Sequence, residues 1–125
     1  RRVYKRTTKG EKELFQWLRS GPAMGTERFA YIGQLIYMSQ LNDLDATREF
    51  LVRLRADLAE RTQFLKSVHK AVEEIPGFPD ALEEADFHNY LALHIGVETT
   101  AARLRACDAC LRMVQRRLQR EASHV

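Results

Sequence analysis

From Leu44 onward, hydrophobic positions return at alternating steps of four and three: Thr47, Leu51, Leu54, Leu58, Arg61, Leu65, Val68, Val72 and Ile75. Only Thr47 and Arg61 depart from apolar character. This is a heptad seam, and it predicts one long helix that stops at Pro76, Gly77 and Pro79. The same spacing resumes in Tyr90, Leu93, Val97, Thr100, Leu104, Cys107, Leu111, Val114 and Leu118. That second run predicts a helix from about Asp80 to Arg120, with Asp80, Glu83 and Glu84 suited to its positive amino end. Two such helices joined by a short turn predict an antiparallel hairpin, each arm about 45–60 Å long. Folding back sets Arg61 opposite Glu98, so a buried Arg61–Glu98 ion pair is expected; the alternative is that Arg61 reaches out of the seam along its stem.

Ahead of the hairpin the pattern predicts two shorter helices. Thr7 or Thr8 is a candidate N-cap, with Glu11 in capping-box position after Thr8, and Leu14, Phe15, Trp17 and Leu18 form an apolar face running to about Arg19. Ser20–Gly25 then breaks the helix with two glycines and a proline. A second helix, from about Thr26 to Gln40, is apolar around much of its circumference through Phe29, Ile32, Leu35, Ile36 and Met38. Asp43 or Asp45 is suited to cap the hairpin's first arm. At the start, Val3 to Thr7 can form a strand end. The expected fold is therefore all-α, with a possible short N-terminal strand, two short helices and a long antiparallel hairpin. Phe50, Phe64 and Ala71 fall off the main seam, and a second copy of the chain is the economical cover, so a homodimer is expected.

Composition supports helices, since three prolines and six glycines interrupt 125 residues. No apolar run approaches the roughly 20 residues that cross a bilayer, so no membrane association is expected and the cytoplasm is the expected location. The net charge of +3 conceals an asymmetry. Residues 1–12 hold six basic residues against Glu11, while the remainder has 14 basic and 16 acidic residues. Such a tip suits phosphate contact; a solvated terminus is the plainer alternative. Cys107 and Cys110 form a C-x-x-C inside a helical pattern, where buried or half-buried thiols are expected rather than a zinc site or a redox pair. His88 and His94, six apart, share no helix face, and His69 is expected at the surface. No nucleophile–base set or phosphate loop is present, so neither enzyme activity nor a cofactor or metal is expected.

Tyr4, Thr7 and Gly10, followed by Glu13-Leu14 and Trp17-Leu18, make the pattern Y-x-x-T-x-x-G-x-x-E-L-x-x-W-L. It resembles the junction after the winged helix-turn-helix of PadR-family transcriptional regulators. Tyr90, Leu93, Gly96, Ala101 and Leu104 resemble the closing helix of the longer subgroup, whose C-terminal domain is named after a virulence activator. The resemblance implies that residues 1–8 are the last of a wing strand, 9–25 a connecting helix and linker, and 26–125 a C-terminal dimerisation and effector-response domain. Most of the winged helix-turn-helix would precede this sequence. It further implies that operator DNA is the partner and that Arg1, Arg2, Lys5 and Arg6 touch phosphate, positioning without reading bases. Trp17, Phe29, Tyr37, Phe87, Tyr90 and His94 become candidates for a pocket holding a small aromatic effector, with ordinary core as the alternative. A dimeric helical scaffold that binds a protein partner is the competing expectation.

Overall fold

The computed structural model describes residues 7–25 and 29–124, and the chain divides into two compact units, residues 1–30 and 31–125. In the first unit, helix α1 spans Thr8–Arg19. Thr7, in extended backbone, begins it: its Oγ1 accepts the Gly10 N–H at 3.0 Å, satisfying one of the unpaired donors of the first turn. Of the two candidate caps, Thr7 is therefore the one used. The helix buries none of its residues, and Trp17 stays 59% exposed. The expected strand lies outside the described residues apart from Thr7, and so do Arg1, Arg2, Lys5 and Arg6.

The second unit holds α2 (Ala30–Tyr37), a 3-10 turn over Met38–Leu41, α3 (Leu44–Glu73) and α4 (Glu84–Ala122). All described elements are helical, as the hydrophobic spacing predicts. The helix expected over 26–40 is shorter, because its last turn tightens and the chain reverses at Asn42, which adopts a left-handed φ of 49°. Asp43 then caps α3, its carboxylate accepting the N–H groups of Asp45 and Ala46. After α3, Gly77 turns the chain at φ 79°; a Cβ there would lie 2.6 Å from that of Ala81. Ala81 N–H donates to the Gly77 carbonyl in this turn at 2.8 Å. The turn consumes residues 80–83, so α4 begins at Glu84 rather than at Asp80.

The two long helices pack on each other as the antiparallel hairpin. Leu51, the most buried large side chain at 2% exposure, lies with Leu58, Cys107 and Leu111 in one cluster, flanked by Leu35, Phe50, Leu54, Leu104, Cys110 and Val114. Val97, Ala101 and Thr62 are also buried. The core is thus a single line of residues along the seam. Leu65, Val72 and Leu118 are half-buried on it, whereas Val68 is exposed.

At its midpoint the seam departs from the predicted heptad. Arg61 and Glu98 are both exposed, and the buried pair expected between them is not formed. Thr62 takes the seam position instead, its Oγ1–H donating to the Leu58 carbonyl at 2.6 Å. The seam therefore runs Leu58, Thr62, Leu65, His69, Val72, with one step of four inserted, and on α4 Ala101 is buried where Thr100 is only half-buried. The physical reason is desolvation. A buried guanidinium needs a well-aligned partner and full hydrogen bonding, whereas a threonine hydroxyl is satisfied by its own helix. The inserted step is a stutter, which locally unwinds the supercoil.

Candidate functional site at the closed end of the hairpin

Polar side chains that α3 and α4 bring together gather near the turn. His69 occupies the seam one turn before α3 ends, and its side chain is only 17% exposed, not at the surface as its sequence context suggests. Its Nδ1–H donates to the Glu73 carboxylate, one helical turn on. The other ring nitrogen, Nε2, faces α4. Two groups of α4 approach it: Tyr90 Oη at 2.9 Å and His94 Nδ1 at 3.0 Å. The rings also pack together, His69 stacked on Tyr90 and tilted against His94. His69 lies 4.8 Å from Tyr90 and 5.3 Å from His94 between centroids, and Phe78 of the turn meets Tyr90 edge-on at 4.8 Å. One residue of α3 thus joins two of α4, and a turn residue seals the group.

Glu73, His69 and Tyr90 stand in the order carboxylate, imidazole, hydroxyl, which elsewhere serves proton transfer. Here the hydroxyl is a phenol, and burial first, with Glu73 second, raises its pKa above the ordinary 10.0. Tyr90 therefore remains protonated and acts as a hydrogen-bond donor. The arrangement fastens two helices. Among the described residues, no group of three or more His, Cys, Asp or Glu side chains is placed to hold a metal ion.

The four proposed effector residues of the second unit are not gathered into one pocket. Trp17 and Phe29 belong to the first unit, and the other four to the second. Within the second unit Tyr37 ends α2, at the end where the chain enters α3, and is 71% exposed. Tyr90 and His94 join the cluster around His69 at the opposite end of α3, and Phe87 packs edge-on against His88. What the second unit does contain is a groove of about 440 Å³ between α2 and α3, lined by Tyr31, Gln34, Met38, Ala46, Glu49, Phe50, Arg53, Leu54 and Asp57. Sequence reasoning missed it because α2's docking position is not encoded in any periodicity. The only signal was Phe50, which falls off the seam and needs a cover.

Cys107 is buried and Cys110 half-buried, both as free thiols. The Cys107 Sγ–H donates to the Leu51 carbonyl at 3.4 Å, and burial first, then Cys110 and Asp108, raises its pKa against a smaller opposing effect of Arg55. Arg55 pairs with Asp108 across the two helices beside it. No described helix is long and apolar enough to cross a membrane.

Comparison with known proteins finds no matching family model, no similar curated protein and no similar solved structure. The likeness to PadR regulators is accordingly carried by the motif residues of the sequence alone.

Proposed function

We propose that this chain is the dimerisation and effector-response part of a PadR-like transcriptional regulator, holding two DNA-binding domains at a fixed separation. One observation carries the reading. The α3–α4 hairpin has a core only one line of residues wide, while Phe64, Ile75, Leu91, Ile95 and Met113 remain exposed on its flanks. Large uncovered apolar side chains in that number suit a self-association surface. Stiff antiparallel helices suit the second requirement, because two recognition elements must be held about one groove-turn apart on an operator. The groove between α2 and α3 is where a small aromatic effector fits, with Tyr31 and Phe50 as walls and Glu49, Arg53 and Asp57 as polar tips.

The test has two parts. Sedimentation velocity of this chain at micromolar concentration is expected to give a dimer mass. Gel-shift of the full-length gene product on its own promoter is expected to give a discrete complex that weakens steeply with salt. A monomer in the first assay, or no promoter complex in the second, refutes the corresponding half of the reading.

A further inference from the structure

The surface of α4 turned away from the seam is unlike that of α3. On α3 the outward positions are Glu49, Arg53, Ala56, Glu60 and Gln63, largely polar as solvent contact requires, with the exposed Val52 and Phe64 to either side of them. On α4 they include Leu91, Ile95, Ala102, Ala106, Ala109 and Met113, and Leu91, Ile95 and Met113 are exposed at 45%, 65% and 60%. The spacing is also symmetric. Counting back from Ala102, the steps to Glu98, Ile95 and Leu91 are four, three and four residues; counting forward, the steps to Ala106, Ala109 and Met113 are the same. A stripe that reads alike in both directions can lie antiparallel on its own copy, about a two-fold axis through its centre.

Charge distribution selects the same arrangement. Residues 80–98 contain Asp80, Glu83, Glu84, Asp86 and Glu98 and no Lys or Arg. Residues 103–120 contain six arginines against Asp108 alone. An antiparallel partner lays each acidic half on a basic half, whereas a parallel one would set arginine against arginine. Like charges so juxtaposed penalise the wrong orientation. Four of these arginines, at 105, 112, 116 and 120, are exposed and make none of the ion pairs found within the chain.

We infer, building on the dimeric reading above, that two copies join through the outer face of α4, antiparallel and centred on Ala102. Leu91 then meets the partner's Met113, Ile95 meets the partner's Ala109, and Glu84 faces the partner's Arg120. Small residues at the centre let the helix axes approach closely, and the larger ones close the two ends.

Sedimentation equilibrium of the full chain tests the arrangement, with circular dichroism as the control for folding. Ala102 is exposed within one copy, so Ala102→Arg is expected to keep the helical signal and raise the dimer dissociation constant about 100-fold or more. Glu84→Arg and Arg120→Glu are each expected to weaken the dimer about five- to tenfold, and the double reversal to restore it to within about twofold. A wild-type chain that stays monomeric overturns the dimeric reading and this geometry together. A dimer indifferent to Ala102→Arg overturns only the geometry. Dissociation by Ala102→Arg without rescue in the double reversal overturns the antiparallel pairing.

Discussion

Thr62 and Arg61 are about 100° apart around α3, so only one of them can face α4. The buried hydroxyl of Thr62 is satisfied by Leu58, and nothing in the seam could satisfy a guanidinium placed there. Thr62→Arg is therefore expected to destabilise the hairpin by about 3 kcal/mol or more, by burying an unpaired charge. Arg61→Ala, at an exposed position, is expected to change stability by less than about 0.5 kcal/mol. Urea unfolding of the two variants beside the wild type checks both. The cysteines differ at the same scale. Cys107 is buried and its thiol is pushed above its ordinary pKa, so little thiolate forms near neutrality. A thiol reagent at pH 8 is expected to modify Cys110 first, with Cys107 reacting only as the fold opens; mass spectrometry of the partly labelled chain distinguishes them. The buried or half-buried thiols were legible beforehand, whereas the exchange of Arg61 for Thr62 was not. A heptad template puts 61 in the seam and 62 outside it, and the exchange shows only when the cost of burying each side chain is weighed against the partners that the folded chain supplies.

Among the helices, α3 and α4 depend on contacts distributed unevenly along the hairpin. Leu51 anchors the half near the start of α3, and Leu51→Ala is expected to cost about 2–5 kcal/mol through lost burial and the cavity left behind. At the closed end the link is polar and aromatic: His69 with Tyr90 and His94, sealed by Phe78. Because the folded chain raises the Tyr90 pKa, it favours the neutral phenol. That contribution is complete below the ordinary value of 10.0 and is lost as pH rises through the higher folded value. Thermal melts above about pH 10 are expected to fall more steeply for the wild type than for Tyr90→Phe, which has no phenol to ionise. Equal slopes would remove Tyr90 from the account. The existence, order and direction of the long helices were readable from period, caps and the Pro-Gly stop. The closed-end cluster was not, because His69, Tyr90 and His94 meet only after the turn sets the register between two helices.

The whole molecule is short of interior. Seven described residues are buried, and exposed apolar side chains are spread over every described helix, with Leu91, Ile95 and Met113 on the outer face of α4. The expectation of a second copy came from apolar residues in excess of one seam, and the proposed dimer uses the part of that excess carried by α4. Salt should act on such an assembly in two ways. Raised ionic strength screens the attraction between acidic and basic halves of α4 and leaves apolar contact in place. Dimer dissociation is therefore expected to rise only a few-fold between low and physiological salt, which sedimentation at two salt concentrations measures. A dimer that vanishes with salt would mean that charge alone holds it.

By itself the sequence determined that the chain is helical, where the two long helices stop, and that they fold back on each other. Those properties depend on local propensity, capping and hydrophobic period, all of which are written in consecutive residues. The tertiary structure alone decided which residue fills the middle of the seam, that Phe50 lines a groove between α2 and α3, and that Tyr90 and His94 meet at the closed end while Tyr37 stays at the other. Each of these depends on the relative rotation and register of elements far apart in the chain, where the desolvation of a particular side chain outweighs its pattern.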